Sequence, residues 1–532
     1  MHLINSSERT EWLVRHNDAW ISLVAGGQWW DEGKGKVSDI LMDDPKAVWI
    51  RSNWGHNAGH TVVLPDGTEF DLHILPSWSV RPGRVNIITS GCVLGLDLPK
   101  ISLEDKIAGD DRGDLIFRQN LSDLYLDDKK WWKKRCALIP ELEQLLSKGV
   151  DVRAEPVKIS AQTPMIGVHH ILLDALDEEV RRATPGGRII GSTGSGITRA
   201  YESQKSGNHF SLDTLLNRPD EYCQHLKEYW KPYACHFPNI TIEELVALAR
   251  EDHERLKWLQ SDRQIEIIPD EKQYIENLRK SDHKMVGEMA QGALISEKYS
   301  PFGTASNPSI ENFCAVTGIE PSDIANLFAV FKMPASSVWT RPQFLVYAEN
   351  NILGSLRTKF REFGVSTGRP REIFRYSLPE FAKSLSLMIG DVIFPRDRVV
   401  PVFHRVDGIN DFAELHGEEG LSVVTGWSYA NQTSRILVWI HDLEESITPE
   451  AAMRNYPDRT TMGSDNVFAV TTWDLVQRRI HEDTSNAQPD NIPEWIDHLL
   501  ELILQSMFTK NQIREIMLWF WPKRDDNCSY LV

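Results

Sequence analysis

A glycine-rich segment with two lysines, Gly26 to Lys36, follows a short apolar run, Ala19 to Val24. Glycines let the backbone turn sharply and direct N–H groups at phosphate oxygens, and a lysine at a helix start adds positive charge. Lys34 stands where a helix is predicted to begin. The spacing is longer than that of a Walker A loop, and no Ser or Thr follows the lysine. The residues alone therefore leave two interpretations open, a phosphate-binding loop or a structural turn.

A second polar segment, Asn53 to Thr61, carries two histidines, His56 and His60, with asparagine and glycine around them. Such polar groups are costly to bury unpaired, which argues against a core strand. A zinc pair is one alternative, but no further Cys or carboxylate stands at matching spacing. The segment is a candidate for binding or catalysis through its polar side chains.

Together, these segments resemble motifs of the adenylosuccinate synthetase family. The family's QWGDEGKGK and GGHNAGHT stand here as Gln28 to Lys36 and Gly55 to Thr61, in the same order. Three later segments, Ile190 to Ile197, Glu288 to Gly292 and Phe363 to Arg371, are similar to its IGTTGRGI, EGAQG and FGATTGRRR. The resemblance spans most of the chain. It implies an α/β fold with one large central, mixed but mostly parallel sheet flanked by helices, a P-loop-like ligase fold related to GTPases.

The resemblance also implies a carbon–nitrogen ligase with a two-step reaction. The γ-phosphoryl group of GTP passes to O6 of IMP, and the amine of L-aspartate then displaces phosphate to give adenylosuccinate. O6 of a 6-oxopurine is a poor nucleophile until N1 loses its proton, so a general base is needed, and Asp31 matches that base. His60 matches the residue that hydrogen-bonds the oxygen and phosphoryl group as they gain charge. His56 is assigned no chemistry beyond fixing its loop.

The same match implies the ligands of each substrate. Mg²⁺ is expected at Asp31 and the Gly59 carbonyl, where it neutralises charge on the donor phosphates. The residues expected to bind the donor nucleotide are Glu32, Gly33, Lys34, Gly35, Lys36, Gly59, Thr61, Arg371, Arg405 and Asp407. Those expected to bind the purine nucleotide are Asp31, Lys34, Asn57, His60, Thr193, Gln291, Thr304 and Arg369. L-Aspartate is expected at Ser366, Thr367, Arg369 and Arg371, because two guanidinium groups suit a dicarboxylate.

Departures from the family pattern leave alternatives open. Trp30 replaces a glycine in the first loop, and its bulk could reshape the phosphate site. The family's arginine that reaches the neighbouring subunit's nucleotide falls on Gly207, so either Lys205 substitutes for it or the site is not shared across the implied homodimer. Asp407 matches the family's guanine-reading Asp. A competing register puts His404 there and removes selectivity for guanine, so that the donor could be ATP.

Two further alternatives concern the reaction itself. Within the ligase class, the substrate could be a guanylate or a deoxynucleotide. A different class is a catalytically impaired nucleotide-binding sensor, which Trp30 and Gly207 favour. Asp31 and His60 oppose it, because a binding module needs no general base.

Strands that alternate with helices must position these motifs, and that alternation itself predicts an α/β fold. Besides the run before Gly26, apolar runs predict strands at Val85 to Thr89, Arg188 to Gly191, Leu345 to Tyr347, Val399 to Phe403, Ile436 to Ile440 and Ile516 to Trp521. Periodicity predicts helices at Lys34 to Met42, Ile139 to Lys148, His169 to Ala183, Leu378 to Met388 and Pro493 to Met507. Because no repeat or linker interrupts the chain, 1–532 is predicted to be a single domain, with a surface insertion at 98–137 and a loop at 481–491.

Charge and cysteine content exclude several partners. The 532 residues include 58 Lys and Arg against 76 Asp and Glu, a net charge of −18. This charge repels polyanions, so neither nucleic acid nor an anionic membrane surface is expected as a partner. The six cysteines show no CxxC spacing and the N-terminal segment has no apolar core. Both features favour a cytoplasmic protein with reduced thiols and no signal peptide.

Overall fold

The computed structural model describes most of the chain from residue 20 to residue 404, and four strands beyond it. The described residues are 2–4, 20–29, 32–41, 46–53, 55–56, 59–64, 66–98, 107–109, 115–117, 120–121, 137–184, 194–296, 306–333, 335–337, 351–360, 362–363, 370–374, 376–404, 422–429, 467–474, 515–519 and 527–531. The strands predicted at 188–191, 345–347 and 436–440, the helix predicted at 493–507 and the loop predicted at 481–491 lie outside them.

The described strands are short, and most are apolar. In chain order they are β1 (His2–Ile4), β2 (Ile21–Gly26), β3 (Val48–Arg51), β4 (His60–Val63), β5 (Glu69–Leu72), β6 (Val85–Ile88), β7 (Ile107–Gly109), β8 (Leu115–Phe117), β9 (Val157–Ser160), β10 (Ile265–Ile268), β11 (Met285–Gly292), β12 (Ile324–Lys332), β13 (Ala335–Ser337), β14 (Glu372–Phe374), β15 (Tyr376–Ser377), β16 (Val399–His404), β17 (Ser422–Tyr429), β18 (Val467–Asp474), β19 (Glu515–Trp519) and β20 (Asn527–Leu531).

The described α-helices lie between these strands. They are α1 (Lys34–Ile40), α2 (Leu138–Ser147), α3 (Val168–Ala183), α4 (Ile197–Lys205), α5 (Leu212–Asn217), α6 (Pro219–Trp230), α7 (Ile242–Ser261), α8 (Glu271–Lys280), α9 (Ile310–Thr317), α10 (Asn351–Phe360) and α11 (Leu378–Ile389).

The chain forms two compact units, of which the first comprises Met1–Leu41, Gln291–Ala315 and Ile319–Val532. The order of its sheet strands is β1-β20-β19-β16-β12-β2. Neighbours from β19 to β2 are parallel, whereas β20 is antiparallel to both β19 and β1. All residues of β2 and β16 are buried, as expected for parallel strands covered on both faces. The register pairs Gly26 with Val330 and Lys332 with His404, so these strands end at one carboxyl edge.

The second unit comprises Met42–Ala290 and Val316–Gly318. Its sheet strands follow the order β11-β3-β6-β9-β10, and all of them are parallel. An antiparallel hairpin, β4–β5, and a second one, β7–β8, lie outside this sheet. β3 is buried along its whole length although it ends in a charged residue, Arg51.

The structure confirms the predicted α/β fold class with a mixed, mostly parallel sheet flanked by helices. The predicted elements that fall within the described residues begin and end within two residues of the observed ones. β2 runs on to Gly26 rather than ending at Val24, and β16 runs on to His404. The single domain and the surface insertion at 98–137 stay predictions. Within the latter, Phe117 is buried and stacks on Phe237 with ring centroids 4.8 Å apart.

Candidate active site

The glycine-rich loop after β2 is joined by hydrogen bonds to the neighbouring strand in the first unit. The Gly27 N–H donates to the Val330 carbonyl at 2.8 Å. The Gln28 side chain accepts a hydrogen bond from the Lys332 N–H at 2.8 Å, and the Gln28 carbonyl accepts one from the Leu294 N–H at 3.1 Å. Three hydrogen bonds, two to β12 and one to the segment after β11, therefore fix the start of the loop at the carboxyl edge of the sheet.

Two of the predicted donor ligands in this loop, Glu32 and Lys34, form an ion pair. The Glu32 carboxylate is fully buried and accepts hydrogen bonds from the Gln28 N–H at 3.2 Å and from Lys34 Nζ at 2.8 Å. Lys34 is also buried. A buried ammonium group needs a negative partner, and the Glu32 carboxylate is that partner here. A phosphate oxygen is also negative, so a bound phosphate can take the place of the carboxylate beside Lys34. The pair thus holds the Lys34 side chain in the loop where the donor phosphates are expected.

Gly33 caps the N-terminus of α1 in a conformation that favours glycine, with φ 95° and ψ 25°. A Cβ at this position would lie 2.9 Å from both Cε1 and Nδ1 of His404, so the imidazole stands directly against the loop. His404 is the last residue of β16 and is 6% exposed. Gly35 and Lys36 follow in the first turn of α1. Glu32, Gly33, Lys34 and Gly35 therefore follow one another through this loop, with His404 as an additional neighbour, and their binding of the donor stays a prediction.

Gln291, predicted to bind the purine nucleotide, lies beside the same loop. It is 2% exposed and has φ 66°. Glutamine rarely adopts a positive φ, which costs of order 1–3 kcal/mol and is often found at ligand sites. A Cβ on Gly26 would lie 2.7 Å from the Gln291 carbonyl oxygen, and one on Gly292 would lie 2.1 Å from the Gln28 carbonyl oxygen. The backbones of the two segments are thus in close contact.

Arg371, predicted to bind both donor and aspartate, is buried in the first unit beside a carboxylate. Its Nη1 lies 3.5 Å from Oε2 of Glu362, which also accepts a hydrogen bond from Lys332 Nζ at 3.0 Å. Sequence reasoning missed both Glu362 and Lys332. Lys332 carried one signal, a charge at the end of an apolar strand; Glu362 carried none.

In the second unit, the described part of the polar segment Asn53 to Thr61 is closely packed. The Asn53 side chain accepts a hydrogen bond from the Ala290 N–H at 3.0 Å and donates one to the Ala290 carbonyl at 3.5 Å. Burial, and then the nearby His73, lower the pKa of His56 to about 3, so this imidazole is neutral. A Cβ on Gly59 would lie 2.8 Å from Nε2 of His73. The structural role expected for His56 stays a prediction that its burial supports.

The segment before α4 carries part of the third motif. Gly196 has φ 71° and its N–H donates to Oδ2 of Asp174 at 3.0 Å, a contact that sequence reasoning missed. Gly207 follows the end of α4 with φ 139°. Arg51 and Glu288 form a further buried pair that sequence reasoning missed, with Nη2 3.6 Å from Oε2. A charged residue at the end of the apolar run Val48–Arg51 was the available signal.

Other predicted site residues cannot be placed in this geometry. Those outside the described residues are Asp31, Asn57, Thr193, Thr304, Ser366, Thr367, Arg369, Arg405 and Asp407, together with Trp30. The side chains of Lys36, His60 and Thr61 are likewise outside the description, although their backbones lie in α1 and β4.

The described part of the chain contains neither a cluster of metal-ligating side chains nor a membrane-spanning helix. In that part, no group of three or more His, Cys, Asp or Glu side chains could hold a metal ion. The predicted Mg²⁺ ligand Asp31 lies outside it. Among the helices that the structure describes, none has the length and apolar character needed to cross a membrane.

Comparisons with known proteins agree with one another. The family model for adenylosuccinate synthetase matches residues 23–106 and 134–384. The adenylosuccinate synthetase of Schizosaccharomyces japonicus is 30% identical over 447 residues, which cover 80% of this chain and 89% of the relative. That of Halothermothrix orenii is 28% identical over 431 residues, 77% of this chain and 81% of the relative. The fully ligated adenylosuccinate synthetase from Plasmodium falciparum has a similar fold, with a TM-score of 0.64 at 18% identity, covering 96% of this chain and 99% of that one.

Proposed function

This chain belongs to the adenylosuccinate synthetase family, and from that premise we propose that it joins IMP to L-aspartate with GTP as the phosphoryl donor. Membership makes it a carbon–nitrogen ligase. The products are adenylosuccinate, GDP and phosphate.

One structural observation carries the proposal. At the carboxyl edge of the first unit's parallel strands, the loop with Glu32, Gly33 and Lys34 packs against Gln291. Nucleotides bind outside the carboxyl ends of strands in α/β proteins, where loop N–H groups and a lysine meet phosphates. Residues proposed to bind the donor and a residue proposed to bind the purine therefore share one edge, which supports transfer of phosphate between two nucleotides.

The first step in this proposal is attack of O6 on the γ-phosphorus. Asp31 takes the N1 proton, which places negative charge on O6 and makes it nucleophilic. His60 hydrogen-bonds the oxygens on which charge accumulates. Lys34 and the loop N–H groups hold the donor phosphates, with Lys34 exchanging part of its contact with Glu32 for phosphate.

Mg²⁺ fits the donor set assigned to it, because a carboxylate and a backbone carbonyl supply the hard oxygen ligands that it prefers. Asp31 and Gly59 would hold the ion, and when bound it would neutralise charge on the donor phosphates. The N1 proton is taken by a side chain of the protein, Asp31.

In the second step the aspartate amine attacks C6, the C6–O bond breaks, and phosphate leaves with the proton that the amine gives up. Arg369 and Arg371, with Ser366 and Thr367, hold the two carboxylates so that the amine faces C6. Arg371 is already buried and paired with Glu362, which limits its rotamers before the substrate arrives. A guanidinium group fixed in advance loses little entropy on binding a carboxylate.

The test is phosphate release by purified protein with Mg²⁺ and L-aspartate, across GTP or ATP against IMP, dIMP, GMP and dGMP. The proposal expects aspartate-dependent release with GTP and IMP, and a product with the mass of adenylosuccinate. Release in another combination would name a different donor or acceptor. If no combination releases phosphate and the protein still binds nucleotide, the proposed ligase activity is overturned in favour of a nucleotide-binding sensor.

The resemblance supports two further parts of the proposal, a homodimer and a cytoplasmic location. Light scattering should give a mass near twice 60.8 kDa. A mass equal to one chain at micromolar concentration would contradict the dimer, and with it any sharing of the active site near Lys205 and Gly207. A fluorescent fusion should fill the cytoplasm evenly.

A further inference from the structure

A cluster of four side chains around Glu362 lies in the first unit. Oε2 of Glu362 accepts hydrogen bonds from Lys332 Nζ at 3.0 Å and from Ser336 Oγ at 2.6 Å, and Nη1 of Arg371 lies 3.5 Å away from it. Each of the four residues is at most 5% exposed. Two cations thus meet one carboxylate oxygen away from water. Removing a partner from such a cluster leaves a charge buried without its counterion, which is strongly unfavourable.

The backbone around Glu362 pairs with the backbone around Arg371. The Arg371 N–H donates to the Glu362 carbonyl at 3.0 Å, and Phe363 and Pro370 form an antiparallel bridge next to them. Nε of Arg357, on α10, donates to the Arg371 carbonyl at 2.6 Å. The segment between the bridge residues contains three of the four predicted aspartate ligands, and Arg371 is the fourth.

The other end of the cluster reaches the donor loop. Lys332 is the last residue of β12, and its N–H donates to Oε1 of Gln28 at 2.8 Å. Ser336 lies on β13, where it pairs with Ile373 of β14, two residues after Arg371. Glu362 therefore ties Arg371 to the strand end that also fixes the start of the donor loop.

From these contacts we propose that Glu362 is a positioning residue for aspartate binding, which acts by holding Arg371 in place through one carboxylate oxygen. This inference rests on the proposed function. Without the carboxylate, Arg371 and Lys332 would repel each other and the guanidinium group would leave the orientation that suits a substrate carboxylate.

The experiment compares full-length Glu362→Gln with the wild type and with Asp252→Asn. Asp252, on α7, is a suitable control because its carboxylate is also paired with an arginine, Arg255, at 2.8 Å. Two quantities are measured: the KM for each substrate, and equilibrium binding of radiolabelled L-aspartate with IMP and a non-hydrolysable GTP analogue present. Urea unfolding of each variant reports whether it is folded.

Glu362→Gln should weaken aspartate binding and raise the aspartate KM by about 10- to 100-fold, while the IMP KM stays within about twofold. Ser336→Ala removes one donor to the same oxygen and should raise the aspartate KM by about three- to tenfold, so it carries the test if Glu362→Gln does not fold. Because Glu362 acts through Arg371, the double variant with Arg371→Ala should bind aspartate no more weakly than Arg371→Ala alone.

Unchanged aspartate affinity in a folded Glu362→Gln or Ser336→Ala protein would overturn the inference. So would equal losses for all substrates, or additive losses in the double variant. A wild type that binds aspartate but releases no phosphate would refute the proposed function, while the binding data would still decide the role of Glu362. A wild type that binds no aspartate would overturn both.

Discussion

Replacing Gly33 with alanine tests the contact between the donor loop and β16. Gly33 has φ 95°, and alanine in the left-handed region costs about 1–2 kcal/mol. Its Cβ would also lie 2.9 Å from two atoms of the buried His404 ring, and overpacking of this kind costs about 1–3 kcal/mol. Gly33→Ala should therefore lower the free energy of unfolding by about 2–5 kcal/mol. The donor KM should rise as well, because the loop that holds the phosphates must move.

A matched control separates the two costs. Gly67 has φ 86°, but a Cβ there would meet nothing within 4 Å, so Gly67→Ala reports the backbone cost alone. In urea unfolding, Gly33→Ala should be more destabilising than Gly67→Ala by the overlap with His404. The double variant Gly33→Ala/His404→Ala should then have a free energy of unfolding about 1–3 kcal/mol higher than the sum of the two single-variant losses predicts. Additivity, or equal losses for both glycines, would refute the contact.

Three other variants test separate steps of the reasoning. Asp31→Asn should leave nucleotide binding largely intact and lower turnover by about 10²- to 10⁴-fold, and surviving turnover would show that the base is another group. Asp407→Asn should weaken use of GTP far more than use of ATP, whereas an unchanged preference would favour the register that places His404 at the reader position. Burial raises the pKa of Glu141 from its ordinary value of 4.5 to about 7. The contribution of Glu141 to the free energy of unfolding is complete below pH about 4.5 and is lost as pH rises through about 7. Between these limits the free energy of unfolding of the wild type should fall by about 3 kcal/mol relative to that of Glu141→Gln. A difference between the two proteins that does not change with pH in urea unfolding would contradict the raised pKa.

Local patterns predicted three elements at the site, β2, α1 and β16, but not β11 and β12, which carry Gln291 and Lys332. The run of apolar residues in β16 and the periodicity of α3 depend on neighbours within a few positions, so their bounds follow from the sequence. The resemblance likewise predicted one site for Gln291 and Lys34, and Gln291 lies beside the loop that contains Lys34. The value of φ at Gln291 could not be anticipated, because the chain adopts a strained conformation only where surrounding contacts enforce it.

Local sequence patterns could not predict which groups pair with the buried charges, for a physical reason. Lys332 and Glu362 are 30 positions apart, and Glu141 accepts hydrogen bonds from the N–H groups of His73 and Ile74, which are 68 and 67 positions away. Which charges meet is decided by the register of strands and the direction of loops. A sequence shows that a lysine ends an apolar strand, and hence that it needs a partner, but the partner's identity is a property of the fold.

The position of His404 also bears on how the donor base is recognised. Its ring lies against Gly33, in the loop assigned to the donor phosphates, and its carbonyl accepts a hydrogen bond from the Met333 N–H at 2.9 Å. The base of a nucleoside triphosphate is separated from its β- and γ-phosphates by the ribose. A side chain packed at the proposed phosphate end is poorly placed to bind the far edge of a purine. This geometry supports the register in which Asp407 reads the base. Asp407→Asn should therefore change the preference between GTP and ATP. His404→Ala should instead change the affinity for both donors alike.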